Sequence, residues 1–343
     1  GHRCEPRLRP SSALRSMLRA SSLSARPMAL GWGRAGSRAL STTTNITKVG
    51  VCGLGLMGHG IAQLSAAAGY QVVALDPSPA ALDAGRARIV ASLRKTLEKK
   101  AAKDPSLQVA EEEAAIMGRL SFVNDMADLG DCDLVVEAIK EDLDLKKSFY
   151  QELGGIAKPE CILASNTSSL PITAMGVASN RPELFLGVHF FNPVQLMKLV
   201  EVVRTDSTAP EVFDTCTAWV RSLGKTPVSC KDTPGFIVNR LLVPYLVQAI
   251  LMVERGDATI PDVDVSMQLG AGHPMGPLHL ADYVGLDTML SIMEGWSAAH
   301  PSEATFVVPR LLAAKVASGH LGRKTGKGFY EWDGDRKGEP VPL

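Results

Sequence analysis

Lys48 to Cys52 is a short apolar run that leads without a break into Gly53-Leu54-Gly55-Leu56-Met57-Gly58. From Met57 to Gly69, alanines and leucines then recur at the spacing of a helix with one buried face. Strand, G-x-G-x-x-G turn and helix in that order open a doubly wound sheet that binds dinucleotides, and each glycine has a physical task there. Gly53 makes the tight turn, Gly55 lets the backbone approach a pyrophosphate, and Gly58 lets the helix close on the strand. The pyrophosphate would rest on the helix N-terminus, whose free N–H groups and dipole favour an anion. A second strand, Gln71 to Leu75, ends in Asp76, 18 residues beyond Gly58. A carboxylate there accepts hydrogen bonds from ribose hydroxyls and repels a 2′-phosphate, so NAD is expected rather than NADP.

The same alternation continues. Pro79 to Lys103 is helix-prone and ends in a basic cluster, Arg94, Lys95, Lys99, Lys100 and Lys103, which is either a solvated face or a holder of substrate phosphates. Glu111 to Met117 is helical and Leu120 to Val123 a strand. Asp133 to Ile139 is an apolar strand interrupted by Glu137, and it carries Lys140-Glu141-Asp142 at the carboxyl edge, where such sheets bind ligands. After a helix from Leu143 to Gly154, the strand Cys161 to Ala164 brings Ser165-Asn166-Thr167-Ser168-Ser169 to that edge. These short polar side chains either orient a nicotinamide or substrate carbonyl, or cap the helix that follows Pro171.

The stretch Val188 to Glu201 is the centre of the functional reading. His189 follows the apolar series Leu184 to Val188 and so arrives at the end of a buried strand, which Asn192-Pro193 then breaks. Met197 to Val203 reads as a second strand with one ionisable residue, Glu201, inside it. A buried carboxylate needs a partner. If the strands are neighbours, Glu201 accepts from one ring nitrogen of His189 and leaves the other free to take a proton, which makes a general base.

Beyond these, a helix from Ala209 to Leu223 and a strand from Thr226 to Cys230 complete an α/β part. From Gly235 to Ser318 the periodicity is helical, so the expected fold is a Rossmann-type doubly wound sheet followed by a smaller all-α C-terminal domain starting near Asp232. Its first helix, Phe236 to Glu254, is apolar almost all round and is expected to bury itself in a homodimer or domain interface. The Gly- and Pro-rich stretch 270–287 reads as a turn between helices. Arg323 to Gly328 is a basic loop, an anion contact or solvated surface. Residues 1–44 hold eight arginines, no lysine and one acid, a mitochondrial transit composition, which leaves 28 bases against 35 acids in the remainder. The expected domains are therefore 1–44, 45–231 and 232–343, with the mitochondrial matrix as location. A body of net charge −7 argues against general nucleic-acid binding, and no apolar run is long enough to span a membrane. The six cysteines lack paired spacing and read as buried thiols, with no metal site.

GLGLMGHGIAQ, SNTSSL, HFFNPV, MKLVEVV, KDTPGFIVNRLLVPYL and GAGHPMGP together resemble the short-chain L-3-hydroxyacyl-CoA dehydrogenases of mitochondrial fatty acid β-oxidation, from about Thr47 to Tyr330. The resemblance implies an NAD-dependent enzyme acting on acyl-CoA, with a histidine base held by a glutamate at His189 and Glu201. It implies an active-site serine at Ser168 and asparagines at Asn192 and Asn239. Implied cofactor contacts are Asp76, Glu141, Lys146, Ser168, Asn192 and Lys324, and implied coenzyme A contacts Ser92, Lys99 and Ser168. Leu54 and His59 depart from the small residues common in the glycine motif. A related dehydrogenase of a small hydroxy acid, or a non-catalytic NAD-binding relative, is the competing expectation; both dyad residues and the basic run from Arg94 to Lys100 speak against these.

Overall fold

Short β-branched runs alternate with one-faced helical segments through the first two thirds of the chain, and in the computed structural model, which describes residues 45–342, each becomes the element its periodicity requires. The expected leader, 1–44, lies outside the described residues. In order these are β1 (Lys48–Cys52), α1 (Gly58–Ala67), β2 (Gln71–Leu75), α2 (Pro79–Ala101), α3 (Val109–Met117), β3 (Leu120–Val123), β4 (Leu134–Glu137), α4 (Leu143–Ile156) and β5 (Ile162–Ser165). Then come α5 (Ile172–Ala178), β6 (Phe185–Phe190), β7 (Leu199–Arg204), α6 (Pro210–Ser222) and β8 (Thr226–Lys231). Helix starts follow local chemistry. Ser78 caps α2, its hydroxyl accepting from Ala81 N with Pro79 in the first turn, and Asp142 caps α4 through Leu145 N.

The eight strands form one sheet in the order β3-β2-β1-β4-β5-β6-β7-β8. Pairing is parallel from β3 to β6, antiparallel between β6 and β7, and parallel between β7 and β8. Its first six strands have the doubly wound order, so a crevice opens beyond the carboxyl ends of β1 and β4, where the winding reverses. Helices cover both faces, which is why the central strands are apolar on successive residues. One face buries Val49, Leu134, Val136, Ile61 and Trp219, and the other Val135, Leu163, Tyr150, Phe185 and Met175. Cys52, Cys132, Cys161 and Cys216 lie buried and free, and burial pushes the Cys132 and Cys161 thiols up to about 12.

The remaining described residues form α7 (Val238–Glu254), α8 (Ile260–Ala271), α9 (Pro277–Val284), α10 (Leu286–Ala299) and α11 (Arg310–Ala317), and then a hairpin of β9 (Tyr330–Asp333) and β10 (Arg336–Pro340). Two features differ from the sequence reading. The stretch 270–287, read as a turn, contains α9: its glycines and prolines punctuate helix ends, Gly272 in a left-handed cap after α8 and Pro277 at the first position of α9, while Leu278 and Ala281 are buried. The hairpin was not expected at all. It is held by a buried carboxylate, Asp282, which accepts from Phe329 N, Tyr330 N and Trp332 Nε1 at 2.8 to 2.9 Å. α7 buries Val243, Leu246, Val247, Ile250 and Val253, yet Leu241 on the same helix is 69% exposed. Among the described residues no helix is long and apolar enough to cross a membrane.

Candidate active site

A cleft of about 1130 Å³ lies at the carboxyl edge of the sheet, bounded on one side by Met57, Ile139, Glu141, Ser168, His189 and Asn192, and on the other by Asn239 and by α10 residues from Asp287 to Ala299. The antiparallel register places His189 directly opposite Glu201, so their side chains share one face of the β6–β7 pair. His189 Nδ1 stands 2.7 Å from Glu201 Oε2, and both residues are buried. A carboxylate only accepts, so the hydrogen sits on Nδ1 and, in the neutral imidazole, the lone pair is on Nε2, which takes no protein partner among the described residues. The other glutamate oxygen, Oε1, accepts the backbone N–H groups of Ile237 and Val238 at 3.0 and 2.8 Å, at the start of α7. Burial alone would raise the Glu201 carboxyl, but the His189 hydrogen bond and these two N–H donors hold it below its ordinary value. The helix terminus as a third partner of the dyad is invisible in the sequence pattern.

The polar loop after β5 is fixed from beneath. Asn166 Oδ1 accepts Phe190 N at 2.9 Å, tying the loop to the end of β6. Glu141 Oε1 accepts Thr167 Oγ1, Ser168 N and Ser168 Oγ at 2.5, 2.9 and 3.3 Å. Asn239 Nδ2 donates to the Ser168 carbonyl at 3.3 Å, which joins α7 to the loop across the cleft. His189, Ser168, Asn192 and Asn239 are thus gathered on one cleft.

Other expected site residues sit differently. Lys146, expected as a cofactor contact, is 1% exposed and outside the cleft lining; its ammonium bonds Glu137 Oε1 at 2.6 Å and Glu141 Oε2 at 3.1 Å. It reaches the cleft only through Glu141. Burial would raise the Glu141 carboxyl, and Lys146 with the Thr167 and Ser168 bonds more than offsets that. Lys324 pairs with Asp287, whose side chain does line the cleft, at 2.6 Å. Ser92 and Lys99 lie on α2, half-buried and exposed, outside the cleft lining.

The glycine turn has the shape a dinucleotide needs. Gly53 has φ +86, and a β-carbon there would meet the Ala138 carbonyl at 2.7 Å. A β-carbon on Gly58 would stand 1.8 Å from the Gly53 carbonyl, whereas Gly55 faces open space. α1 begins with no side-chain cap and no acid in its first turn; His59, Gly60 and Ile61 N donate to the Gly55 and Met57 carbonyls, so an anion at this end would meet the N–H groups of the turn before them and the positive end of the helix dipole. Asp76, the residue after β2, accepts from Leu54 N on Oδ2 and from Ser78 N on Oδ1, at 3.0 and 3.1 Å. His59, the departure from small residues, turns its Nδ1 onto the Gly55 carbonyl at 2.7 Å. Among the described residues no group of three or more His, Cys, Asp or Glu is placed to hold a metal ion.

Residues 48–233 match the model of the 3-hydroxyacyl-CoA dehydrogenase NAD binding domain, and residues 235–332 that of the 3-hydroxyacyl-CoA dehydrogenase C-terminal domain. The chain is 46% identical over 289 residues to the Homo sapiens protein named hydroxyacyl-coenzyme A dehydrogenase, mitochondrial, covering 84% of this chain and 91% of that one. The Rattus norvegicus protein of the same name is also 46% identical, over 287 residues, with the same coverage of each chain. Among solved structures, (S)-3-hydroxybutyryl-CoA dehydrogenase from Ralstonia eutropha superposes with a TM-score of 0.79 at 39% identity, covering 84% of this chain and 100% of that one.

Proposed function

This chain belongs to the 3-hydroxyacyl-CoA dehydrogenase family, and from that premise we propose that it interconverts (S)-3-hydroxyacyl-CoA and 3-oxoacyl-CoA with His189 as general base and Glu201 as its partner. The chain is an NAD-dependent oxidoreductase of that family. The observation that carries the base assignment is the 2.7 Å bond from Nδ1 to a buried carboxylate, with Nε2 left to the cleft.

Nε2 takes the proton of the substrate's 3-hydroxyl, Nδ1 keeps its hydrogen on Glu201 Oε2, and the carboxylate stabilises the imidazolium that forms. Ser168 and Asn239 hydrogen-bond the reacting oxygen, where charge changes most. NAD, when bound, supplies the two-electron acceptor. Gly53, Gly55 and Gly58 would admit its pyrophosphate to the start of α1, Asp76 would accept from its ribose, and Glu141, Ser168 and Asn192 would line the nicotinamide end. Lys146 supports that end through Glu141, and Lys324 through Asp287. The α10 side of the cleft covers the reacting atoms and excludes water. The basic residues of α2, Lys99 above all, with Ser92 beside them, take the phosphates of coenzyme A.

The reading predicts that acetoacetyl-CoA with NADH turns over with a kcat/KM at least about 100-fold above that of free 3-hydroxybutyrate with NAD, because the remote coenzyme A contacts supply binding energy. Comparable values for the two substrates would remove the thioester assignment.

The domain division at about 231 and a matrix location complete the proposal, the latter supported by the mitochondrial relatives and the arginine-rich 1–44. A cytosolic reporter fused to 1–44 would contradict it. Leu241 on α7 and Leu269 on α8, 69% and 84% exposed, support a homodimer through these helices, and sedimentation as a monomer at micromolar concentration would refute it.

A further inference from the structure

The turn from Asp232 to Ile237 hands the chain from β8 to α7, and its conformation is unusual in a way the reaction as described does not use. Phe236 has φ +53, a left-handed backbone that bulky L residues avoid. Its ring is nevertheless 4% exposed, and it packs with the buried cluster that holds Ile172, Tyr150 and Phe185 on one face of the sheet. Gly235 before it has φ +73, and a β-carbon there would stand 2.4 Å from the Trp296 ring and 2.7 Å from Arg240 N.

The surroundings clamp this turn from both ends. Upstream, Asp232 accepts from Ile172 N, Thr173 N and Thr173 Oγ1 at 3.1, 2.8 and 2.6 Å. Downstream, Arg240 N donates to the Gly235 carbonyl at 3.0 Å, while its guanidinium pairs with Glu303 and lies 4.3 Å from the Phe306 ring centroid. A backbone conformation that is unfavourable by itself persists where neighbours over-determine it, and such residues gather at functional sites.

Immediately after the left-handed residue, two successive N–H groups, Ile237 and Val238, converge on Glu201 Oε1. The Phe236 ring itself stands 5.7 Å, centroid to centroid, from the His189 imidazole, which Phe191 also meets at 4.4 Å. We propose that Phe236 is a positioning residue for the His189–Glu201 pair: its left-handed backbone aims the two donors that hold Glu201, and its ring walls the imidazole so that Nε2 keeps one direction. It acts through the pair. The seating of α7 on the sheet and the alignment of the base are therefore one structural event. The inference rests on the proposed role of His189 as base.

A double-mutant cycle in the full chain separates this from a role in packing alone. Phe236→Gly accepts the left-handed backbone and removes the ring; Phe236→Leu keeps an apolar side chain in its place. Each should lower kcat with acetoacetyl-CoA and NADH by about tenfold or more with either KM changed less than about threefold, since small misplacements of a reacting group are costly. In a Glu201→Gln background the same substitutions should lower kcat by less than about twofold, because ring and carboxylate align one imidazole and that alignment is already lost with the carboxylate's charge. A kcat per folded molecule unchanged from wild type, or an equal loss in both backgrounds, overturns the proposal. If Phe236→Gly does not fold, the Phe236→Leu cycle decides. A Glu201→Gln enzyme with normal kcat would instead sink the dyad reading, and this inference with it.

Discussion

β4 and β7 each carry one glutamate with no exposed surface, Glu137 and Glu201, and the two are put to opposite uses. Glu137 is closed on all sides: Lys146 Nζ and Ile139 N reach Oε1 at 2.6 and 2.8 Å, while Ser165 Oγ and Tyr150 OH reach Oε2 at 2.7 and 3.3 Å. Its cationic partner is itself 1% exposed, so no valence of the pair faces the cleft. Glu201 is equally buried and accepts three hydrogen bonds, but its partner is an imidazole whose second nitrogen is open to the cleft. A buried ionisable pair is therefore not in itself a site. It becomes one when one member can both give and take a proton and keeps a free lone pair where a reactant can stand.

The largest effect that tests this contrast is on stability. Lys146→Met should destabilise the fold by about 3–5 kcal/mol in denaturant unfolding, because it leaves the Glu137 carboxylate buried without its cation. Adding Glu137→Gln should restore much of that loss. A Lys146→Met protein as stable as wild type would mean that the β4 pair is not structural, and the contrast would collapse. A smaller effect concerns the cofactor end of the same sheet edge. Asp76→Ala should weaken NADH use by about 1–3 kcal/mol in kcat/KM and narrow the gap to NADPH. An unchanged preference would detach Asp76 from the ribose. The smallest concerns pH. The Glu201 carboxyl lies below its ordinary value in the fold, so its contribution to stability is complete above that ordinary value and is lost as pH falls through the lowered one. An acid-unfolding comparison should show Glu201→Gln losing less stability over that interval than wild type. Parallel curves would break this link.

Much of the contrast was legible in the sequence, and its limit is instructive. Glu137 and Glu201 both announce themselves as single acids inside apolar strands, and the opposition of His189 and Glu201 follows from two strands joined by a short break at Asn192-Pro193. What the pattern cannot carry is the identity of a partner fixed only by tertiary contact. Lys146 lies nine residues beyond Glu137 on the next helix, and in the sequence it reads as one more surface lysine of α4; only the resemblance marked it, and as a cofactor contact. Phe236 likewise reads as the first apolar residue of a buried helix, because a positive φ on a non-glycine residue leaves no trace in hydropathy. That the first part is a doubly wound sheet was readable from strand and glycine spacing, whereas the strand order and the antiparallel direction of β7 were not. α9 was lost because glycines at helix ends look, in a sequence, like glycines inside a loop.

The central claim is that Glu201 makes His189 a base. Glu201→Gln keeps shape and burial and removes the charge, so steady-state kinetics with acetoacetyl-CoA and NADH should show kcat falling by about 100-fold or more, with KM changed far less and NADH binding intact. A kcat within about threefold of wild type would contradict the account, since the imidazole would then be shown to work without its carboxylate.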